Sequence, residues 1–216
     1  MPDINIAVEK IEVERYASAP LLAFHLRITN RDADEVIHSV ALRCQIQIEV
    51  MRRRYSSEDQ ERLRDLFGES ARWGQTLRPL LWTHASVVVP QFTESVTVPL
   101  PVACTFDFNV AATKYFYGLE GGEVPLNLMF SGTVFYSGAD GTLQVVPISW
   151  DKEAHFRLPV AVWKGMMDLH YPNSAWLCLR RDVFERLYQY KVRRGIPTWE
   201  ETLENLLVPS EEAVLP

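Results

Sequence analysis

The sequence predicts an α+β fold: a mainly antiparallel β-sandwich, immunoglobulin-like or built of strongly curved sheets, with C-terminal helices packed on it. Three observations carry this. Apolar and polar residues alternate with period two in several separate segments between residues 4 and 158. After Pro159 the spacing changes to the three-and-four pattern of helices. Strands therefore come first and helices last, without the regular alternation that a parallel α/β sheet needs. The expected organisation is an antiparallel β domain over residues 1–158 with one short inserted helix at 57–67. A helical segment over 159–216 is expected to pack on that domain and not to stand as an independent one.

Ile4 to Tyr16 reads as the first strand. Its apolar phase slips from even (Ile4, Ile6, Val8) to odd (Ile11, Val13), which one extra residue near Glu9-Lys10 explains, so a β-bulge is predicted there. Phe24, Leu26 and Ile28 mark a second strand. Val36, His38, Val40, Leu42, Cys44, Ile46, Ile48 and Val50 mark a long third one with a single apolar face. The polar run Asn30–Asp34 between them suggests an antiparallel pair joined by a short turn. Ser57 with Gln60 resembles a capping box, Leu63, Leu66 and Phe67 form a stripe, and Gly68 ends the helix. Strand character resumes over Thr76–Val89, with Trp82, His84, Ser86 and Val88 on one parity. Pro90, Pro99 and Pro101 then suit edge strands or loop boundaries. Residues 105–110 alternate as strand, and Ala111–Tyr117, including Tyr115-Phe116-Tyr117, fit a continuation of that strand or a short helix, with strand preferred. Gly121-Gly122 is a turn, Val124–Tyr136 a strand, Asp140-Gly141 a hairpin turn, and Leu143–Trp150 and Ala154–Leu158 the last strands. Helices follow over Val160–Leu169, from Asp182 to Gly195, and from Thr198 through Leu207. The two later ones open with capping-box patterns, and Ser210–Pro216 reads as a frayed tail.

Composition narrows the function classes. Apolar residues make up 47% and charged ones 23% of 216 residues, so a packed core is affordable and whole-chain disorder is excluded. A formal net charge of −6 argues against nucleic-acid binding. Three distant cysteines without a CxxC pair suit reduced thiols in a cytoplasm. Neither a secretory leader nor an apolar run long enough to span a membrane is expected.

The motifs that carry chemistry are missing. Gly118–Gly122 lies between strands instead of opening a helix, so it is no phosphate loop. Ser149-Trp150-Asp151-Lys152 matches SxxK by letters alone. Among the histidines, His38 and His84 could join Cys44 as a metal cluster, because the three share the even faces of two strands. The plainer reading keeps them as core residues with one hydrogen bond each, so no metal and no cofactor is assigned. Arg52-Arg53-Arg54 reads as a solvated strand end, and Lys191, Arg193 and Arg194 as helix-dipole partners. Six tryptophans and an aromatic triplet are more informative. Trp82 and Trp163 fit core positions. Arg72 and Trp73 in a loop, with Tyr115 and Tyr117, are residue types that interface hot spots favour, and these four are the candidate partner-binding residues.

Four longer segments carry a resemblance. They are Arg72-Trp73-Gly74 with Thr76-Leu77-Arg78 and Leu81-Trp82-Thr83; Cys104–Phe108 through Lys114-Tyr115-Phe116; Gly122–Leu126 with Phe130–Tyr136; and Leu158–Trp163, Ser174–Leu177 and Tyr190-Lys191 through Trp199. Together they resemble an uncharacterised bacterial domain-of-unknown-function family associated with nickel–iron hydrogenase gene clusters. The resemblance implies an accessory role and no particular functional residue.

The expectation is a non-catalytic cytoplasmic accessory protein that mediates protein–protein interaction in the assembly, maturation or scaffolding of a nickel–iron hydrogenase. Its partner would be a hydrogenase subunit or maturation factor, with homo-oligomerisation open. Two alternatives stand beside it. One is a hydrolase or metal-dependent enzyme with a scattered site, for which Asp107, Asp151, Glu153 and His155 are the first candidates. The other is a chaperone-like binder of unfolded or precursor chains, which requires a large exposed apolar patch.

Overall fold

A computed structural model describes residues 2–31, 35–108, 110–138 and 140–207. In chain order its elements are β1 (Ile4–Val13), β2 (Leu21–Asn30), β3 (Ile37–Ile48), α1 (Ser57–Arg62), α2 (Arg64–Phe67), α3 (Trp73–Thr76), β4 (Leu80–Val89) and β5 (Ser95–Ala103). After these come α4 (Ala111–Gly118), β6 (Glu123–Ser137), β7 (Leu143–Pro147), β8 (Glu153–Pro159), α5 (Val160–His170), α6 (Arg181–Arg194) and α7 (Trp199–Leu207). They form two compact units, Met1–Trp176 and Leu177–Pro216. The first takes in both sheets and α5; the second holds α6 and α7.

The fold class is the expected one: α+β, with two antiparallel sheets and C-terminal helices. One sheet has the order β1-β2-β5. The other has the order β4-β3-β6-β7, with β8 also paired to β6. The inner faces share one core, from Leu22, Phe24, Leu26 and Ile28 on one side to Val40, Leu42, Ile46 and Leu128 on the other. Pro99 and Pro101 lie exposed on the edge strand β5, where a missing N–H costs no ladder bond.

Three bulges explain where side chains point. The one read from the phase slip in β1 sits between Val8 and Lys10. A second, between Ile37 and Ser39 in β3, buries Ile37 and turns His38 outward. A third, opposite Ile46/Gln47, falls at Trp82 in β4. It sends Trp82 toward the core and His84, Ser86 and Val88 outward, so the four do not share a face as expected. Cys44 points inward. The suggested cluster of His38, Cys44 and His84 therefore does not assemble, and among the described residues no three metal-ligating side chains converge.

Several other expectations are corrected. β2 and β3 are not a hairpin: β2 bonds β1 and β5, while β3 bonds β4 and β6. Each has one apolar face, and facing those across the core buries both. Of the link between them, residues 32–34 lie outside the described residues, as does the tail 210–216. The inserted helix breaks at Leu63 into α1 and α2, and its cap is Ser56, whose hydroxyl accepts the Asp59 N–H at 3.0 Å. β4 begins at Leu80, because Trp73–Thr76 forms a helical turn. Residues 111–118 take the helical alternative and not the preferred strand. Ala112, Tyr115 and Phe116, three and four apart, are all buried, and that packing overrides the strand preference of the aromatics. Asp182 does not cap α6, which starts from Arg180 without a side-chain cap, whereas Thr198 does accept the Glu201 N–H at 3.2 Å. No helix among the described residues is long and apolar enough to cross a membrane.

Burial sorts the three thiols. Cys44 and Cys104 are buried and Cys178 is exposed. Burial pushes the Cys44 and Cys104 thiols up from 9.0 to about 12. A raised thiol favours the folded state below the unfolded value, and this contribution is lost as pH climbs from 9.0 toward 12. Each thiol then costs about 1.4 kcal/mol per pH unit within that window. In urea titrations at stepped pH, the unfolding midpoint should fall above pH 9, and less steeply in a Cys44→Ala/Cys104→Ala chain. Thiol labelling of native protein should modify Cys178 quickly and the other two only on unfolding. Equal rates for all three would refute this burial pattern.

A candidate binding groove around Tyr117

The four residues expected to bind a partner divide into three locations. Trp73 and Tyr115 are buried together beneath the helical insertion. The Trp73 ring lies edge-on to Tyr55 at 5.2 Å and to Phe67 at 5.5 Å, and Phe67 meets Tyr115 at 5.9 Å. Trp73 Nε1–H donates to the Gly68 carbonyl at 3.0 Å. The Tyr55 hydroxyl donates to the Val50 carbonyl at 2.7 Å, leaving the Tyr115 hydroxyl to donate to Tyr55 at 2.9 Å. Burial pushes both phenols above their ordinary value. This satisfied aromatic cluster ties α2 and α3 to α4. Arg72 is exposed on the short turn before α3.

Beside the cluster lies an ion pair that the arginine run concealed. Arg52 and Arg54 are exposed, but the Arg53 side chain keeps 9% of its surface and that of Asp59 5%. The Arg53 guanidinium donates to the carbonyls of Gly121 at 2.5 Å and Glu123 at 2.7 Å, and reaches Asp59 Oδ2 at 3.4 Å. Asp59 Oδ1 in turn accepts the Glu120 N–H at 2.9 Å. One guanidinium thus joins α1 to the turn that enters β6.

Tyr117 is elsewhere. A helix rotates about 100° per residue, so α4 turns Tyr115 and Phe116 into the core and Tyr117 outward, 53% exposed. Its ring lies against Phe108 at 4.6 Å. It stands on the rim of a hollow of about 520 Å³ floored by the buried Phe106, Trp163 and Met167 and bordered by Arg62, Lys164 and Asp168. The floor is held from below, because Trp163 stacks on Phe116 at 5.0 Å and Phe106 on Tyr171 at 5.6 Å. A second hollow of about 270 Å³ shares Arg62 and Tyr117 and adds Leu66 and Phe108. Arg62 pairs with Glu120 at 3.3 Å, and Lys114 pairs with Asp65. Lys164 and Asp168, one turn apart on α5, border the hollow without an ion-pair partner among the described residues.

An apolar floor with a few charged groups at the rim, at this volume, suits a side chain or short segment of a ligand. Arg62, Phe106, Lys164, Met167 and Asp168 were not singled out in the sequence. They come from segments far apart and match no local motif.

The candidates for a scattered catalytic site do not form one group. Glu153 and His155, 3.8 Å apart, face outward on β8, while Asp107 is bridged to Trp176. Asp151 occupies the turn before β8, where a bond from the Ser149 hydroxyl holds its carboxyl below the ordinary range. Lys152 donates to Asp3 at 2.6 Å and so serves an ion pair, not a nucleophilic serine.

A family described as being of unknown function, DUF6084, matches residues 1–214. No curated protein matches the chain. Among solved structures, a Bordetella pertussis protein assigned as ApaA is similar at 14% identity and a TM-score of 0.27, over 73% of this chain and 93% of that one.

Proposed function

We propose that this chain, which belongs to DUF6084, a family of unknown function, is a non-catalytic accessory protein that binds another protein through the Tyr117 groove. One observation carries the reading: an exposed tyrosine and Arg62 stand over a rigid aromatic floor, with Lys164 and Asp168 lacking partners among the described residues. Tyrosine, tryptophan and arginine are the side chains that dominate binding energy when a partner desolvates them. The bound segment presents a large apolar side chain to Phe106, Trp163 and Met167 and a carboxylate to Lys164. Arg72 touches the partner outside the groove, and Trp73 and Tyr115 hold the supporting cluster in place.

The setting of assembly, maturation or scaffolding of a nickel–iron hydrogenase in the cytoplasm rests on the family resemblance alone. In a tagged pull-down from the native cell, hydrogenase subunits or maturation factors are the expected partners. Tyr117→Ala should reduce their recovery about tenfold or more, in line with loss of a hot-spot side chain, while the melting temperature stays unchanged. Recovery of other proteins would reject the hydrogenase setting, and full recovery by the Tyr117→Ala chain would reject the groove.

A further inference from the structure

Eight of the nineteen exposed large apolar side chains fall in the second unit, which holds 31 of the described residues. Among its described residues only Thr202 is fully buried. Two short helices that turn their apolar residues outward do not stabilise themselves in water, so this surface calls for a cover. It is arranged in two rows. Phe184, Tyr188 and Val192 follow each other at every fourth position of α6, and Leu203, Leu206 and Leu207 share one side of α7. Trp199 joins the rows, with its ring 5.3 Å from Phe184 and one turn before Leu203.

Charge identifies the cover. α6 carries five basic residues against two acidic ones, and α7 three acidic residues and no base, giving +3 and −3. Arg181 lies one turn before Phe184 and Arg193 beside Val192. Glu200 and Glu204 lie one turn before Leu203 and Leu207. A surface with one basic and one acidic helix beside the same apolar rows is complementary to its own copy across a two-fold axis, with α6 on the partner's α7 and the reverse. An unrelated partner would have to match both signs in the same order.

We propose that the helical unit Leu177–Leu207 is a self-association surface that pairs two copies of this chain as a four-helix arrangement, α6 of each against α7 of the other. None of its residues lines the Tyr117 groove.

Sedimentation velocity and light scattering on the full chain between micromolar and 100 µM concentrations test it. The expected species is a dimer of twice 24.8 kDa. Arg181→Glu/Arg193→Glu makes both helices acidic along the rows, and Glu200→Arg/Glu204→Arg makes both basic, so each variant alone should self-associate about tenfold or more weakly. Circular dichroism shows whether each keeps its helices. An equimolar mixture of the two variants should recover the dimer, because each acidic helix then meets a basic one. A monomeric wild type, or a mixture that stays monomeric while both variants remain helical, overturns the proposal. Binding of wild-type monomer to phosphatidylcholine–phosphatidylglycerol vesicles without self-association overturns it too, and assigns the rows to a lipid surface.

Discussion

Gly132→Ala should be among the most damaging single substitutions in the first unit, lowering its stability by about 3–5 kcal/mol and its melting temperature by roughly 10 °C. Gly132 lies in β6 opposite Leu42 with φ +139°, and an added Cβ would come within 2.0 Å of the Ala41 carbonyl oxygen. That oxygen belongs to the central strand β3, so relief requires moving the β3–β6 ladder. The Ile148 N–H also donates to the Gly132 carbonyl at 2.9 Å, which fixes the chain beyond β7 to the same point. Gly141 provides the control. Its φ is +78° and a Cβ there meets nothing within 4 Å, so Gly141→Ala should cost about 1 kcal/mol from backbone strain alone. Thermal melts of the two variants separate close approach from strain. Equal losses would show that the contact with Ala41 does not govern the site.

Asp59→Ala should cost a similar amount, about 3–5 kcal/mol, by a different route. It strands the Arg53 guanidinium in a nearly dry site and removes the acceptor of the Glu120 N–H. The loss is in desolvation left uncompensated, which exceeds the net worth of the pair itself. Asp59→Asn keeps an oxygen for Glu120 and should lose less. Urea midpoints that rank wild type above Asp59→Asn above Asp59→Ala fit this account. An Asp59→Ala chain as stable as wild type would mean that water reaches Arg53.

What could be read in the sequence followed from how local its causes are. The bulge in β1 was legible because five apolar residues, Ile4 to Val13, record the phase on both sides of it. Those at His38 and Trp82 were not, because a histidine and a tryptophan fit either face of a strand and leave the alternation looking intact. The helix at 111–118 was concealed by Tyr115, Phe116 and Tyr117, whose local preference for strand yields to burial against Trp163 and Tyr55. The polar link after Asn30 suits a hairpin and a crossing between sheets equally well, and the choice between them is tertiary. Within the groove Tyr117 was named, yet its neighbours are joined by the packing of α4 on α5, which no short motif encodes. Arg53 looked like one of three surface charges. Its partners, Asp59, Gly121 and Glu123, lie on both sides of a long insertion.

The fifteen residues of β6 pair with β3 along one side and with β7 and then β8 along the other. During synthesis this makes β6 a late keystone. β3 ends at Ile48 and β6 starts at Glu123, so at bacterial or eukaryotic ribosome speeds roughly 4–15 s pass before the central strand meets its second neighbour. Until then β3 can pair only with β4, and its other edge, with the apolar row Val40 to Ile48 beside it, stays open to the nascent chain's surroundings. The first unit therefore becomes competent to close only after its last third has left the ribosome, and a chain arrested before Ser137 should be the species that chaperones hold and proteases remove.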